Sequence, residues 1–278
     1  MHARGRLLSC LVTIVMALAG FVTAGALPAA ATPSTIQYVA LGDSLAAGVG
    51  APPYRDDICF QSIKSGYPAL LDRKGRIDLQ VNATCAGFTT TDVANNLPSE
   101  LNEHTRLVTL TVGANDLGFV DVAETCITPG QEPQCLTAIT NAVTDEQLTD
   151  LYRDLTLLYG QVAGEAPNAL IVVTGYPYLF EPDPNNPIIT AFNTAIAALN
   201  ETIEAAVNAT HDPPGGVNIV YVDVTEQFKG HGIGSSHPFI NSPTADGPLH
   251  PNAAGYRVYA KAISAAIRDA LDRQKQLA

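Results

Sequence analysis

A chain of 278 residues, 46% of them hydrophobic, is long enough to bury the core of one large α/β domain. Its 15 lysines and arginines against 27 aspartates and glutamates give a formal net charge of −12, which repels nucleic acid and anionic membranes and argues against a polyanion-binding role. The acidic residues are spread without a run of five or more, a distribution that serves solubility.

Arg4 and Arg6 precede an apolar run from about Leu7 to Leu27 and the small-residue stretch Pro28-Ala29-Ala30-Ala31. That order is a secretory signal peptide, with cleavage expected after Ala31. Residues 1–31 are therefore expected to be removed and residues 32–278 to form a single domain, since no Gly/Ser-rich or Pro-rich linker divides them. The product is expected to be secreted, monomeric and without a stable membrane anchor. Cys10 leaves with the leader, and Cys59, Cys85, Cys126 and Cys135 remain. An even number in an exported protein points to disulfides, and four cysteines allow three pairings. Pairing of nearest neighbours, Cys59–Cys85 and Cys126–Cys135, is expected because each closes a loop emerging on the same side of the sheet. No C-x-x-C spacing suggests a metal or redox site, and no cofactor is expected.

The first apolar, β-branched segment, Ile36–Leu41, runs into Gly42-Asp43-Ser44-Leu45. The second, Leu79–Ala83, is followed by Cys85-Ala86-Gly87-Phe88, and the third, Leu107–Val112, by Gly113-Ala114-Asn115-Asp116. A helix is predicted over Glu146–Glu165, then a strand over Leu170–Thr174 leading to Gly175-Tyr176-Pro177. A second long helix over Ile188–Ala209 precedes the last strand, Val217–Val222. The segment Gly230–Leu249 has no period of either kind and ends at His250-Pro251-Asn252, which opens a final helix over Asn252–Leu271. Short buried strands alternating with helices predict a parallel sheet covered on both faces by right-handed crossovers. The loops after the strands then open on one edge, where an α/β protein places its site.

A serine at a strand-to-helix turn on that edge is a candidate nucleophile, although Gly-Asp-Ser also reads as an ordinary turn and helix N-cap. Acyl transfer requires, besides the serine, a base, a group that orients the base, and donors aimed at the developing oxyanion. Of six histidines, one lies in the leader; His104 and His211 precede strands and fall on the opposite edge. His237 sits in the Gly/Ser-rich stretch Gly230–Phe239 with no element to fix it, whereas His250 stands at the mouth of the last helix. His250 is therefore the candidate base. The oxyanion donors would be the amide of Ser44, the amide of Gly87, where no Cβ blocks a substrate oxygen, and the side chain of Asn115. His231, His237, Asp223 and Asp246 are too irregularly spaced to read as a metal site.

Taken together, Gly42-Asp43-Ser44-Leu45, Gly87, Gly113-Ala114-Asn115-Asp116 and His250-Pro251-Asn252 resemble the site blocks of the GDSL, or SGNH, hydrolase family. The resemblance spans Ser44 to His250, nearly the whole mature chain. It implies a three-layer α/β/α sandwich, flavodoxin-like, with a five-stranded parallel sheet in the order 2-1-3-4-5. It also implies a catalytic domain that hydrolyses carboxylic esters through an acyl-enzyme on Ser44. The G-x-S-x-G elbow of the α/β-hydrolase fold is absent from the sequence.

One position departs from the family pattern. An aspartate is usual three residues before the histidine, but Gly247 stands there and Asp246 lies one residue earlier. Either Asp246 reaches the imidazole, giving a triad, or a backbone carbonyl near Gly247 orients it, giving a dyad, as in similar secreted actinobacterial-like members. Phe88, Phe119 and Tyr178 are candidate linings of an acyl pocket, and Gly230–Leu249 is a candidate rim. The expected partner is a small-molecule or lipid ester. Lipase, phospholipase and carbohydrate or cell-envelope deacetylase use the same machinery, and a non-catalytic binding protein on this scaffold is the alternative from another class.

Overall fold

The structure is a computed structural model that describes residues 35–211 and 217–277. The expected leader, residues 1–31, lies outside the described residues. The chain opens with β1 (Ile36–Gly42), the single-turn α1 (Ser44–Ala47), α2 (Tyr67–Asp72), β2 (Ile77–Thr84), α3 (Thr90–Asn95) and β3 (Leu107–Thr111). It continues through α4 (Phe119–Ile127), α5 (Glu132–Ala142), α6 (Asp145–Glu165), β4 (Leu170–Thr174), α7 (Pro187–His211), β5 (Ile219–Val222), α8 (Thr225–Phe228) and α9 (Ala253–Leu277). The five strands are all parallel and pair in the order β2-β1-β3-β4-β5.

The central strands β3 and β4 are buried at every position, which is why Leu107–Thr111 and Leu170–Thr174 are unbroken runs of apolar and threonine residues rather than alternating patterns. The edge strand β2 alternates more and is half exposed. Helices α2 and α9 cover one face, with α9 lying on β4 and β5, while α3, α6 and α7 stack together on the other. This is the three-layer α/β/α arrangement of order 2-1-3-4-5. Threonines of the central strands are buried yet partnered: Thr111 lies 2.6 Å from Thr174 and 2.9 Å from the Tyr67 hydroxyl, and Thr109 lies 2.6 Å from that of Tyr38.

Several elements differ from the sequence expectation. The second strand is longer, because Ile77 and Asp78 already pair with Ile36 and Gln37. The fifth is shorter, because the Val217 amide bonds back to the carbonyl of Thr210 at the end of α7. The helical pair α4–α5, absent from the sequence reading, is joined by the Cys126–Cys135 disulfide and packs through α5 on α7. The second disulfide joins Cys59 to Cys85 at the end of β2.

Candidate active site

β1 delivers its C-terminal end to the catalytic edge through Gly42, whose φ of 127° only glycine adopts readily. A Cβ there would meet the Thr111 carbonyl oxygen at 2.2 Å. Asp43 then caps α1, its Oδ1 accepting from the Leu45 amide at 2.9 Å, and Ser44 begins the helix. The Gly-Asp-Ser turn and cap expected from local sequence is thus the device that presents Ser44.

The Nε2 of His250 lies 2.8 Å from Ser44 Oγ, and Nδ1 lies 2.8 Å from the carbonyl oxygen of Pro248. A carbonyl only accepts, so Nδ1 carries the proton and Nε2 presents a lone pair to the serine hydroxyl. The group bonded to Nδ1 is therefore this backbone carbonyl. Asp246, the candidate orienting acid, has an exposed side chain, and no hydrogen bond joins it to the imidazole. The turn of residues 247–249 is the cause: Gly247 at φ 63° and Leu249 at φ 60° fold the chain so that the Pro248 carbonyl, not the preceding side chain, faces the ring. Burial holds the His250 imidazole below its ordinary 6.5, against the opposing pull of the Pro248 carbonyl.

The aperiodic Gly230–Leu249 segment packs as a fixed support. The Asn241 amide group donates to the carbonyls of Gly50, Asp246 and Gly247 at 2.9, 3.1 and 3.3 Å, and its backbone exchanges bonds with Leu249 and His250. His231 stacks on Phe239 with ring centroids 3.7 Å apart, and Asp223 accepts from the amide and hydroxyl of Thr225, the first residue of α8. These groups from the irregularly spaced set are engaged in ring packing and local hydrogen bonds.

On the other side of Ser44, Asn115 and Gly87 belong to loops that are bonded together. One hydrogen of the Asn115 amide goes to the Phe88 carbonyl at 2.8 Å, which leaves the second for another acceptor. Asp116 grips the start of α3, accepting from the Thr90 amide at 3.0 Å and its hydroxyl at 2.6 Å. Gly87 turns at φ 84° with open space where a Cβ would stand. Asn115 lines the cleft beside Ser44 and His250; Gly87 is not among the lining residues and is joined to them through its neighbour Phe88.

The cleft holds about 370 Å³ and is walled by Phe119, Val120 and Ile127 of α4, Phe192 and Ile196 of α7, and Leu179. Phe119 was expected there. Phe88 and Tyr178 were expected too and lie elsewhere. Phe88 packs against the main core. Tyr178 faces a separate cleft with Phe180 and Phe228, because the chain after Pro177 is extended and pairs Phe180 with Ile233, so that neighbours Tyr178 and Leu179 point to opposite sides. Apart from Phe119, the α4 wall escaped the sequence reading, although Ala123 and Ile127 follow Phe119 at intervals of four residues, as on one helical face.

Two buried polar groups, Asp43 and Tyr176, stand beside the serine turn. Asp43 is fully buried, which pushes its carboxyl from 3.8 up to about 7 against the lowering effect of the Tyr176 hydroxyl and the Leu45 and Ala46 amides. Tyr176 donates that bond to Asp43 Oδ2 at 2.5 Å. A charged residue inside a motif read for its serine gave no signal of burial.

A parallel α/β/α sandwich with a serine, a histidine and an asparagine amide gathered at the end of an apolar cleft is the architecture of an acyl-ester hydrolase. Residues 40–258 match the GDSL-like lipase/acylhydrolase family, and the chain belongs to it. It is 31% identical to Lipase 1 of Streptomyces coelicolor over 91% of this chain and 94% of that one. It is 35% identical to a lipase of Streptomyces rimosus over 78% and 81%. Among solved structures, the phospholipase A1 of Streptomyces albidoflavus superposes with a TM-score of 0.74 at 32% identity, covering 84% of this chain and 99% of that one. The chain is accordingly a carboxylic ester hydrolase.

Proposed function

We propose that Ser44 is the nucleophile and His250 the general base of an exported esterase or lipase that works as a dyad. Ser44 Oγ attacks the ester carbonyl carbon while its proton passes to His250 Nε2. The oxyanion that forms accepts hydrogen bonds from the amides of Ser44 and Gly87 and from the free hydrogen of the Asn115 side chain. His250 then returns the proton to the leaving alcohol, leaving an acyl group on Ser44. Water, deprotonated at the same Nε2, attacks the acyl-enzyme; the carboxylic acid departs and Ser44 recovers its proton. The Pro248 carbonyl holds the imidazole in the reactive tautomer throughout.

The observation that carries this reading is the 2.8 Å approach of His250 Nε2 to Ser44 Oγ at the end of an apolar cleft. The lining favours an acyl chain: each buried methylene is worth about 0.8 kcal/mol, close to fourfold in kcat/KM. A series of p-nitrophenyl esters from acetate to palmitate tests it, with Ser44→Ala alongside wild type. Wild type should turn over and the variant should fall to background; equal rates would sink the reading. Export is supported by the leader pattern and the two disulfides. Protein recovered from culture medium should begin at Thr32.

A further inference from the structure

We propose that Tyr176 is a positioning residue for acyl transfer, its hydroxyl holding the Ser44 turn and the Asn115 loop in fixed relation. The proposal rests on the reading of Ser44 and Asn115 given above. Tyr176 is 3% exposed, and its hydroxyl makes two bonds that end one residue short of two site groups. It donates to Asp43 Oδ2 at 2.5 Å, next to Ser44, and accepts from the Ala114 amide at 3.2 Å, next to Asn115. The other Asp43 oxygen accepts from the Leu45 amide at 2.9 Å, so the bridge reaches both sides of Ser44.

The tyrosine is itself immobilised from the far side. Its amide donates to Asn200 Oδ1 and its carbonyl accepts from Asn200 Nδ2, both at 2.8 Å. Asn200 is a buried side chain of α7, and this two-bond clasp satisfies both ends of its amide. The carbonyl just before Tyr176, that of Gly175, accepts from the Tyr259 hydroxyl of α9 at 2.8 Å. Helices from both layers therefore fix one ring whose only polar atom spans the two loops. A donor displaced by even a fraction of an ångström from the oxyanion loses much of its effect, which is what such a bridge prevents.

Tyr176→Phe removes one oxygen and leaves the ring and its backbone clasp. The test measures kcat and KM on p-nitrophenyl butyrate and on its thionoester, in which sulfur replaces the carbonyl oxygen and accepts hydrogen bonds weakly. We expect kcat on the oxoester to fall roughly tenfold to a hundredfold with KM changed less than threefold, and the oxoester-to-thionoester rate ratio to shrink. Loss of folded protein alone would lower both substrates equally and leave that ratio at the wild-type value. Asp43→Asn keeps an acceptor for the Leu45 amide and takes away the oxygen that Tyr176 holds; it should show the same pattern, and the double variant should be no slower than the slower single one. Multiplicative losses, or an unchanged ratio in Tyr176→Phe, would overturn the proposal. If Tyr176→Phe fails to fold, an unchanged ratio in Asp43→Asn overturns it instead. Hydrolysis by Ser44→Ala at the wild-type rate would reject the underlying reading, whereas an inert Ser44→Ala beside a fully active Tyr176→Phe would reject only the bridge.

Discussion

His250 Nε2 stands 2.8 Å from Ser44 Oγ although 206 positions separate the two residues along the chain. Nothing local brings them together. Ser44 is delivered by β1, an interior strand of the sheet, and His250 by a loop whose Asn241 is bonded to the Gly50 carbonyl, six residues beyond the serine. The pair is thus assembled in the free protein, so little ordering is left for substrate to drive.

Because the Pro248 carbonyl already occupies Nδ1, neutralising Asp246 should matter little. Asp246→Asn is expected to keep kcat/KM on p-nitrophenyl butyrate within about threefold of wild type; a loss of the order of 10⁴, as when a triad acid is neutralised, would restore the carboxylate to the mechanism.

The His250 imidazole, held low by burial, should ionise below 6.5. Lowering the pH must therefore go further than for an ordinary histidine before Nε2 is protonated and the base is lost. An NMR titration of histidine-labelled protein, with the resonance assigned through His250→Asn, would show the midpoint; a value at or above 6.5 contradicts this account.

Asp43 ionises near 3.8 in the unfolded chain and about 7 in the folded one. The raised folded value means that its stabilising share is fully present below 3.8 and is lost as the pH rises to 7. Asp43→Asn, which cannot ionise, should therefore gain in Tm over wild type between pH 4 and 7 and hold that gain at pH 8. Calorimetry across this range decides it, and an advantage that shrinks with rising pH would refute it.

Ala123 faces the cleft from the middle of α4. Ala123→Phe should fill the acyl space and lower kcat/KM on p-nitrophenyl laurate at least tenfold more than on the acetate. Equal losses on both esters would mean that the chain does not lie along α4.

Replacing Cys126 and Cys135 by serine removes a staple across a nine-residue separation. The chain-entropy relation puts the loss at about 2–3 kcal/mol in denaturant unfolding. A change under about 0.5 kcal/mol would show that packing of α5 on α7 alone holds the hairpin.

Much of the fold was legible because buried parallel strands write themselves as short apolar runs, and Leu170–Thr174 was placed to the residue. Ser44, His250 and Asn115 could be nominated from the sequence because each lies in a segment that follows a strand or precedes a helix on one edge. Other parts left no such mark. The α4–α5 pair carries weak amphipathic patterning, and its cysteines pointed to a bond without revealing the helices it joins. Tyr178 was misplaced because its direction depends on pairing of Phe180 with Ile233, more than fifty residues away. The bond between Asp43 and Tyr176 was not legible because burial of a polar pair is a tertiary fact, invisible in either residue's neighbours.

The group proposed to orient His250 is a main-chain carbonyl, and no side-chain substitution at position 248 can delete it. Alanine scanning would pass over Pro248 and leave the orienter untouched. What inheritance must preserve here is a path of the chain, the left-handed turns at Gly247 and Leu249, rather than an acid. A position comparison seeking the third member of a catalytic set would find no residue to align. Testing it calls for chemistry on the backbone, such as an amide-to-ester replacement between 248 and 249, which keeps every side chain, weakens the Pro248 acceptor and also removes the Leu249 amide that donates to the Asn241 carbonyl.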